Sequence, residues 1–332
     1  MKGESGGVDL AWWRSRGAEE IISDSEHMLA DDSRLSTGSD QVDGSFNGGI
    51  PRRILFEITP GGGDRESNDL LVWMLQGEAG TGKTQWCLTL ISSVLLRGVD
   101  WRELKVGTGI VCVIFTENGA FPVGRLTEIL RSRLEEEYLR QSSRGELEEG
   151  EAASLDVLSE KLVALVRVYK ISSLDDMYAF VRRVIPGICL SHRVDAIFID
   201  SITNIYRSKV SFSDNSSVST GLMQLSNIFK RVSMDQNCWL VVTNQTTAEI
   251  SDVQVSTGTG MNGCIVGNRQ KPSLGLVWSN SVNWRIFLSK RAAHRSLMDS
   301  GTSVRELRVE LSSEVPRISG SAVTTGTNDL IN

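Results

Sequence analysis

The chain has 332 residues, 40% of them apolar and 23% charged, which is enough to bury one large core and too little charge bias for wholesale disorder. No stretch approaches the length of apolar sequence needed to span a bilayer, and the opening MKGESGGVDLAWWRSRG lacks the apolar segment of a secretory signal, so a soluble intracellular protein is expected. A formal charge of −6 argues against a protein that coats nucleic acid by bulk electrostatics.

The cysteines, Cys87, Cys112, Cys189, Cys238 and Cys264, are scattered without CxxC spacing, and His27, His192 and His294 lie far apart. Reduced, mostly buried thiols are expected, and no metal site made from such side chains alone.

In chain order, residues 1–33 have no sustained period and are read as an N-terminal tail or docking arm, with Trp12 and Trp13 as candidate anchors for a partner. The core is expected over 34–320 and a frayed C-terminal tail over 321–332. Short apolar runs at 109–115, 195–199, 238–243 and 284–288 read as strands, and 84–97, 123–134, 174–185 and 219–234 have helical spacing. The charged stretch 131–161 reads as two solvated helices joined at a polar break, Gln141 to Gly145. Alternation of strand and helix predicts an α/β fold, with a mostly parallel central sheet covered by helices on both faces.

The strongest signal is Gly77-Glu78-Ala79-Gly80-Thr81-Gly82-Lys83-Thr84, a full match to GxxxxGK[ST] between an apolar run, LLVWML, and a helical run. Glycines allow the backbone N–H groups to turn inward as an anion cradle, and the following helix adds its positive end. Lys83 would reach the β- and γ-phosphates, and Thr84 would offer a hydroxyl to Mg²⁺. Such a site also needs an acid after a buried strand, which DAIFID supplies as Asp200. The strand GIVCVIF runs into Thr116-Glu117, making Glu117 the candidate general base. CWLVVT runs into Asn244-Gln245, where Gln245 is positioned to sense a γ-phosphate and report to the Ser/Thr/Gly-rich loop expected over Thr246 to Gln270.

These motifs, GEAGTGKTQ, FTENGAFPVGRL, IDSITNIYR, VVTNQ and PSLGLVWSNSVNWRIFLSKR, stand in the order of the RecA family of recombinases. LSTGSDQVDGSFNGGIP looks like that family's entry into its core, S-x-G-x-x-x-x-D-x-x-x-x-GGI. Over residues 34 to about 312 the chain resembles the eukaryotic DNA-repair paralogues of the strand-exchange recombinase. Its TENGAFPVGRL and LGLVWSN segments look most like the third X-ray repair cross-complementing paralogue.

The resemblance implies a RecA-like P-loop core, a weak DNA-dependent ATPase using ATP and Mg²⁺, action in homologous recombination, and a nuclear location. It assigns Glu117 as the water-polarising acid, Gln85 to the nucleotide site, Arg125 to adenine stacking, Gln245 as the allosteric amide, and Arg207 as the start of a first DNA-facing loop. Implied partners are another paralogue, the strand-exchange recombinase, and single-stranded or branched DNA.

The chain departs from the family pattern in several places. The small N-terminal DNA-binding domain is expected to be absent. PGGGDRESND lengthens the chain between Gly49 and Gly77, as a surface hairpin or an error in the gene model, leaving ILFEI and LLVWML as alternative strands before the P-loop. The first DNA loop, RSKVSFSDNSS, lacks a further arginine, and the second keeps only Arg269 and Lys271, so modest, salt-sensitive DNA affinity is expected. A non-catalytic ATP-bound scaffold subunit of a paralogue heterodimer is the alternative. A clock or signalling ATPase fits less well, because such proteins commonly carry duplicated domains and there is one P-loop here.

Overall fold

The computed structural model describes residues 34–60, 81–144, 154–210, 215–256, 262–291, 303–311 and 319–324. Trp12 and Trp13, the run LLVWML and loop residues Gly77 to Gly80 lie outside them.

The described chain begins by folding back on itself. Asp43 accepts from Thr37 N (2.7 Å), Thr37 Oγ1 (2.7 Å) and Ser36 Oγ (2.6 Å), and Ser39 caps the short helix Asp40–Ser45. Leu35 and Ile50 then exchange main-chain hydrogen bonds at 2.9 Å. Gly49 closes this turn at φ 124°, where a Cβ would stand 2.3 Å from the Leu35 carbonyl oxygen, so no other residue fits. The S-x-G…D…GGI spacing is thus a self-contained entry turn.

From there the elements alternate. Strand β1 (Leu55–Pro60) is followed by the helix Lys83–Arg97, a small ribbon of β2 (Val99–Asp100) and β3 (Lys105–Val106), and β4 (Ile110–Phe115). The helices Val123–Ser143 and Ser154–Val163 lead to β5 (Val166–Lys170). Helix Leu174–Ala179 widens into a π turn over Phe180–Val184 and continues as Ile185–Ser191, after which comes β6 (Val194–Asp200). Pro186, within the first turn after the widened segment, has no N–H to donate four residues back, which accounts for the wider turn there.

Helices Ile202–Val210 and Asn215–Asp235 precede β7 (Trp239–Thr243). The long ribbon β8 (Thr246–Ser256) and β9 (Asn262–Pro272), helix Gly275–Ser281, and strands β10 (Trp284–Arg291), β11 (Ser303–Leu311) and β12 (Ser319–Thr324) complete the order.

The main sheet runs β12-β11-β10-β1-β7-β6-β4-β5. From β10 to β5 every pairing is parallel, and β11 and β12 add an antiparallel edge. Alternate residues of each central strand supply opposite cores. Phe56, Phe198 and Val241 pack with Trp86 and Leu90 of the helix Lys83–Arg97, whereas Leu55, Ile197 and Leu240 pack with Phe229 and Tyr206. Burial on both faces is why these strands read as unbroken apolar runs. The expected α/β architecture, mostly parallel with helices on both faces, is what the chain adopts.

Of the two alternative strands, LFEITP is a central strand of the sheet, fully buried between β10 and β7, while LLVWML lies outside the described residues. Several other expectations need correction. The helix expected over 123–134 and the first of the two expected over 131–161 are one continuous helix, which ends at Ser143 within the polar break, and the second is Ser154–Val163. Arg207 lies within a helix instead of opening a loop, because Ile202, Ile205 and Tyr206 recur at helical spacing and are buried. The loop expected over Thr246 to Gln270 is largely a ribbon, with β8 and β9 in register from Thr246 opposite Pro272 to Ser256 opposite Asn262. β-branched residues such as Val253, Val255 and Ile265 favour strand despite the polar composition. Residues 321–324, expected as tail, pair with β11.

Candidate functional site

Parallel strands place their carboxyl ends at one edge, and the P-loop helix begins there. Gly82 sits just before the helix Lys83–Arg97 at φ 98° and ψ 13°, a left-handed conformation suited to glycine. The N–H groups of the first helical turn have no partner within the helix, so this end carries donors and partial positive charge. The Thr81 hydroxyl is buried and has no hydrogen-bond partner among the described residues, and Lys83 and Thr84 are half-buried.

Asp200, the last residue of β6, is 3% exposed. Its Oδ2 accepts from Thr84 Oγ1 at 2.8 Å and its Oδ1 from Thr243 Oγ1, at the end of β7, at 2.6 Å. Burial raises the Asp200 carboxyl above the usual range. The two hydroxyls and Lys83 work in the opposite direction, and the Glu117 charge adds to the rise.

Glu117 leaves the end of β4. Thr116 N donates to Asp200 O at 2.8 Å, and Thr116 Oγ1 donates to Ser201 O at 2.6 Å, tying the two strand ends together. The Glu117 carboxylate accepts from Ser201 Oγ at 2.7 Å and from Asn204 Nδ2 at 3.1 Å. Lys170, at the end of β5, donates to the main-chain oxygens of Glu117 and Gly119.

Gln245 follows β7 and is half-buried. Its N–H donates to Thr203 Oγ1 at 3.0 Å, and its carbonyl oxygen accepts from Ser273 N at 2.8 Å, so it stands at the root of the β8–β9 ribbon. The neighbouring Asn244 accepts from Thr203 Oγ1 at 2.6 Å and donates to the buried Glu57 at 2.7 Å. Glu57 also accepts from Trp278 Nε1 at 2.6 Å and pairs with Arg285, its register partner on β10.

Arg125, early in the helix Val123–Ser143, sets its guanidinium against the Gln85 carboxamide and donates to Glu128 at 2.8 Å. Arg269 and Lys271 fall on β9, opposite Glu249 and Thr247 in register. Cys87, Cys112 and Cys238 are buried free thiols and Cys189 is half-buried, as expected. Burial pushes Cys87 well up and Cys112 to about 12, which keeps both as unreactive thiols.

The structure therefore brings Lys83, Thr84, Asp200 and Glu117 to one sheet edge, with Gln245 one strand beyond. Sequence reasoning missed Thr243, Ser201, Asn204, Lys170 and Glu57. For Thr243 the signal was present as a hydroxyl ending the run WLVVT, and for Glu57 as an acid inside an apolar strand. The donor set suits a phosphate and a hard cation: a helix N-terminus, a lysine, a hydroxyl and a buried carboxylate. Among the described residues no His/Cys/Asp/Glu cluster suits a metal by itself, and no helix is long and apolar enough to cross a membrane.

No family model matches the chain. It is 26% identical over 275 residues to the DNA repair protein XRCC3 homolog of Arabidopsis thaliana, which spans 77% of this chain and 76% of that one. It is 25% identical over 312 residues to the DNA repair protein rhp57 of Schizosaccharomyces pombe, spanning 86% of this chain and 75% of that one. The resemblance to RecA-family recombinase paralogues thus extends over most of the chain, and the sheet has the RecA-like α/β arrangement.

Proposed function

We propose that the chain acts in DNA repair by homologous recombination as a nuclear recombinase paralogue, binding Mg²⁺-ATP at its P-loop and hydrolysing it slowly in the presence of DNA. The observation that carries this reading is the contact between Thr84 and Asp200, which joins the two halves of a P-loop site at the carboxyl edge of the sheet.

Thr84 and Asp200 would hold the magnesium ion, directly or through its water shell, and the amides ahead of Lys83 would hold the phosphates. When bound, the ion supplies positive charge where negative charge gathers on the transferred phosphoryl oxygens. Lys83 adds a fixed charge on the same side. Glu117, one strand away from Asp200, orients a water molecule and accepts its proton. Catalysis on this reading is positioning plus charge stabilisation, with Gln245 reporting the state of the site to the ribbon behind it.

A net charge of −6 supports weak, salt-sensitive DNA contact and reliance on another paralogue or the strand-exchange recombinase for tighter engagement. Glu117→Gln, assayed for ATP binding and for turnover with single-stranded DNA, tests the assignment. Retained binding with turnover lowered by about 10²-fold or more is expected. Stoichiometric ATP retention by the wild type without any turnover, even with DNA and a partner chain, would instead indicate a scaffold subunit.

A further inference from the structure

We propose that Asn204 is a positioning residue for Glu117, acting with Ser201 to set the angle at which the carboxylate meets a water molecule. The proposal rests on the reading of Glu117 as the water-activating acid and adds to it the parts that aim it.

The main chain around Glu117 is already anchored. Thr116 is bonded through its N–H to Asp200 and through its hydroxyl to Ser201, and Lys170 grips the carbonyl oxygens of Glu117 and Gly119. What is left to fix is the side-chain torsions. Ser201 Oγ takes Oε1 at 2.7 Å and Asn204 Nδ2 takes Oε2 at 3.1 Å, so the plane of the carboxylate is set from both ends. Each oxygen keeps a further lone pair with which to accept from water.

Asn204 is not serving as a helix cap. A cap accepts main-chain N–H groups through its side-chain oxygen at the residue before the first turn. Asn204 is already inside the helix Ile202–Val210 and uses its nitrogen, which donates to Thr116 O at 3.0 Å as well as to Glu117. Two acceptors on that one atom also fix which way the amide faces. The helix directly after β6 therefore reaches back across the strand end to aim an acid carried by β4. An asparagine in the first turn after the β6 acid is the sequence feature that encodes this.

The test is single-turnover ATP hydrolysis by the full chain with single-stranded DNA, alongside equilibrium binding of a fluorescent ATP analogue. Asn204→Ala should lower the hydrolysis rate constant about tenfold and leave the analogue's Kd within about twofold, because aim is lost and binding is not. Asn204→Asp, which keeps the volume but sets one carboxylate against another, should cost more. In a Glu117→Gln background, Asn204→Ala should cost nothing further.

An unchanged rate in Asn204→Ala, an equal loss of binding and rate, or the same loss in the Glu117→Gln background would overturn the proposal. Failure of the wild type to bind ATP, or turnover indifferent to Glu117→Gln, would remove the underlying reading and this proposal with it.

Discussion

Thr84 donates to Asp200 at 2.8 Å across a separation of 116 residues, and this contact ties the first turn of the helix Lys83–Arg97 to the end of β6. Both groups are drawn out of bulk water, Asp200 almost entirely. A carboxylate kept there costs stability, a cost that the magnesium ion proposed above would offset.

Asp200→Asn should therefore raise the thermal midpoint of the nucleotide-free protein near neutral pH. The sign follows from the raised carboxyl: a group whose folded pKa lies above its unfolded value contributes stability that is complete below the unfolded pKa and is lost as pH rises through the folded one. The gain in Asp200→Asn should accordingly shrink on acidification toward the unfolded value. The same variant should lose the magnesium dependence of nucleotide binding. Melting curves across pH, with and without Mg²⁺, check both.

Arg285→Ala removes the guanidinium that pairs with Glu57 inside the core, where the two side chains are 7% and 0% exposed. Breaking a buried pair strands its partner, so a loss of about 3–5 kcal/mol is expected in urea unfolding. Trp278 and Asn244 would remain as donors to Glu57 and keep the loss near the lower end.

Thr203→Val takes away the hydroxyl that donates to Asn244 and accepts from Gln245. Gln245 N–H would still donate to Asn244 Oδ1 at 2.7 Å, so neither group is left unpaired and the loss should be about 1 kcal/mol. If Gln245 reports to the ribbon, nucleotide should change amide exchange over Thr246–Ser256 and Asn262–Pro272 in the wild type and much less in Thr203→Val. Hydrogen exchange with and without an ATP analogue measures this.

The site was legible where chemistry is written in short runs. GxxxxGKT, the acid closing DAIFID and the acid after GIVCVIF each name their residue, and the parallel sheet brings them to one edge. Legibility failed where composition conflicts with context. VRVYK, the strand that carries Lys170, is a half-exposed edge interrupted by Arg167 and ended by Lys170, so it shows no apolar run. The β8–β9 ribbon scatters Ile250, Val253, Val255 and Ile265 among polar residues and glycines, so no apolar run announces it. LLVWML is wholly apolar whereas ILFEI is broken by Glu57, and it is the neighbours of LFEITP, β10 and β7, that mark it as a central strand. Asn204 was invisible because its role depends on a residue 87 positions earlier.

The most direct test of the account is equilibrium binding of adenine and guanine triphosphates to the purified full chain and to Lys83→Ala, with folding checked by circular dichroism. Stoichiometric retention of ATP by the wild type with Mg²⁺, weakened about tenfold or more in Lys83→Ala, is the result expected from losing one charged phosphate contact. A folded wild-type chain that retains neither nucleotide, or a Lys83→Ala variant that binds ATP as tightly as the wild type, would contradict it.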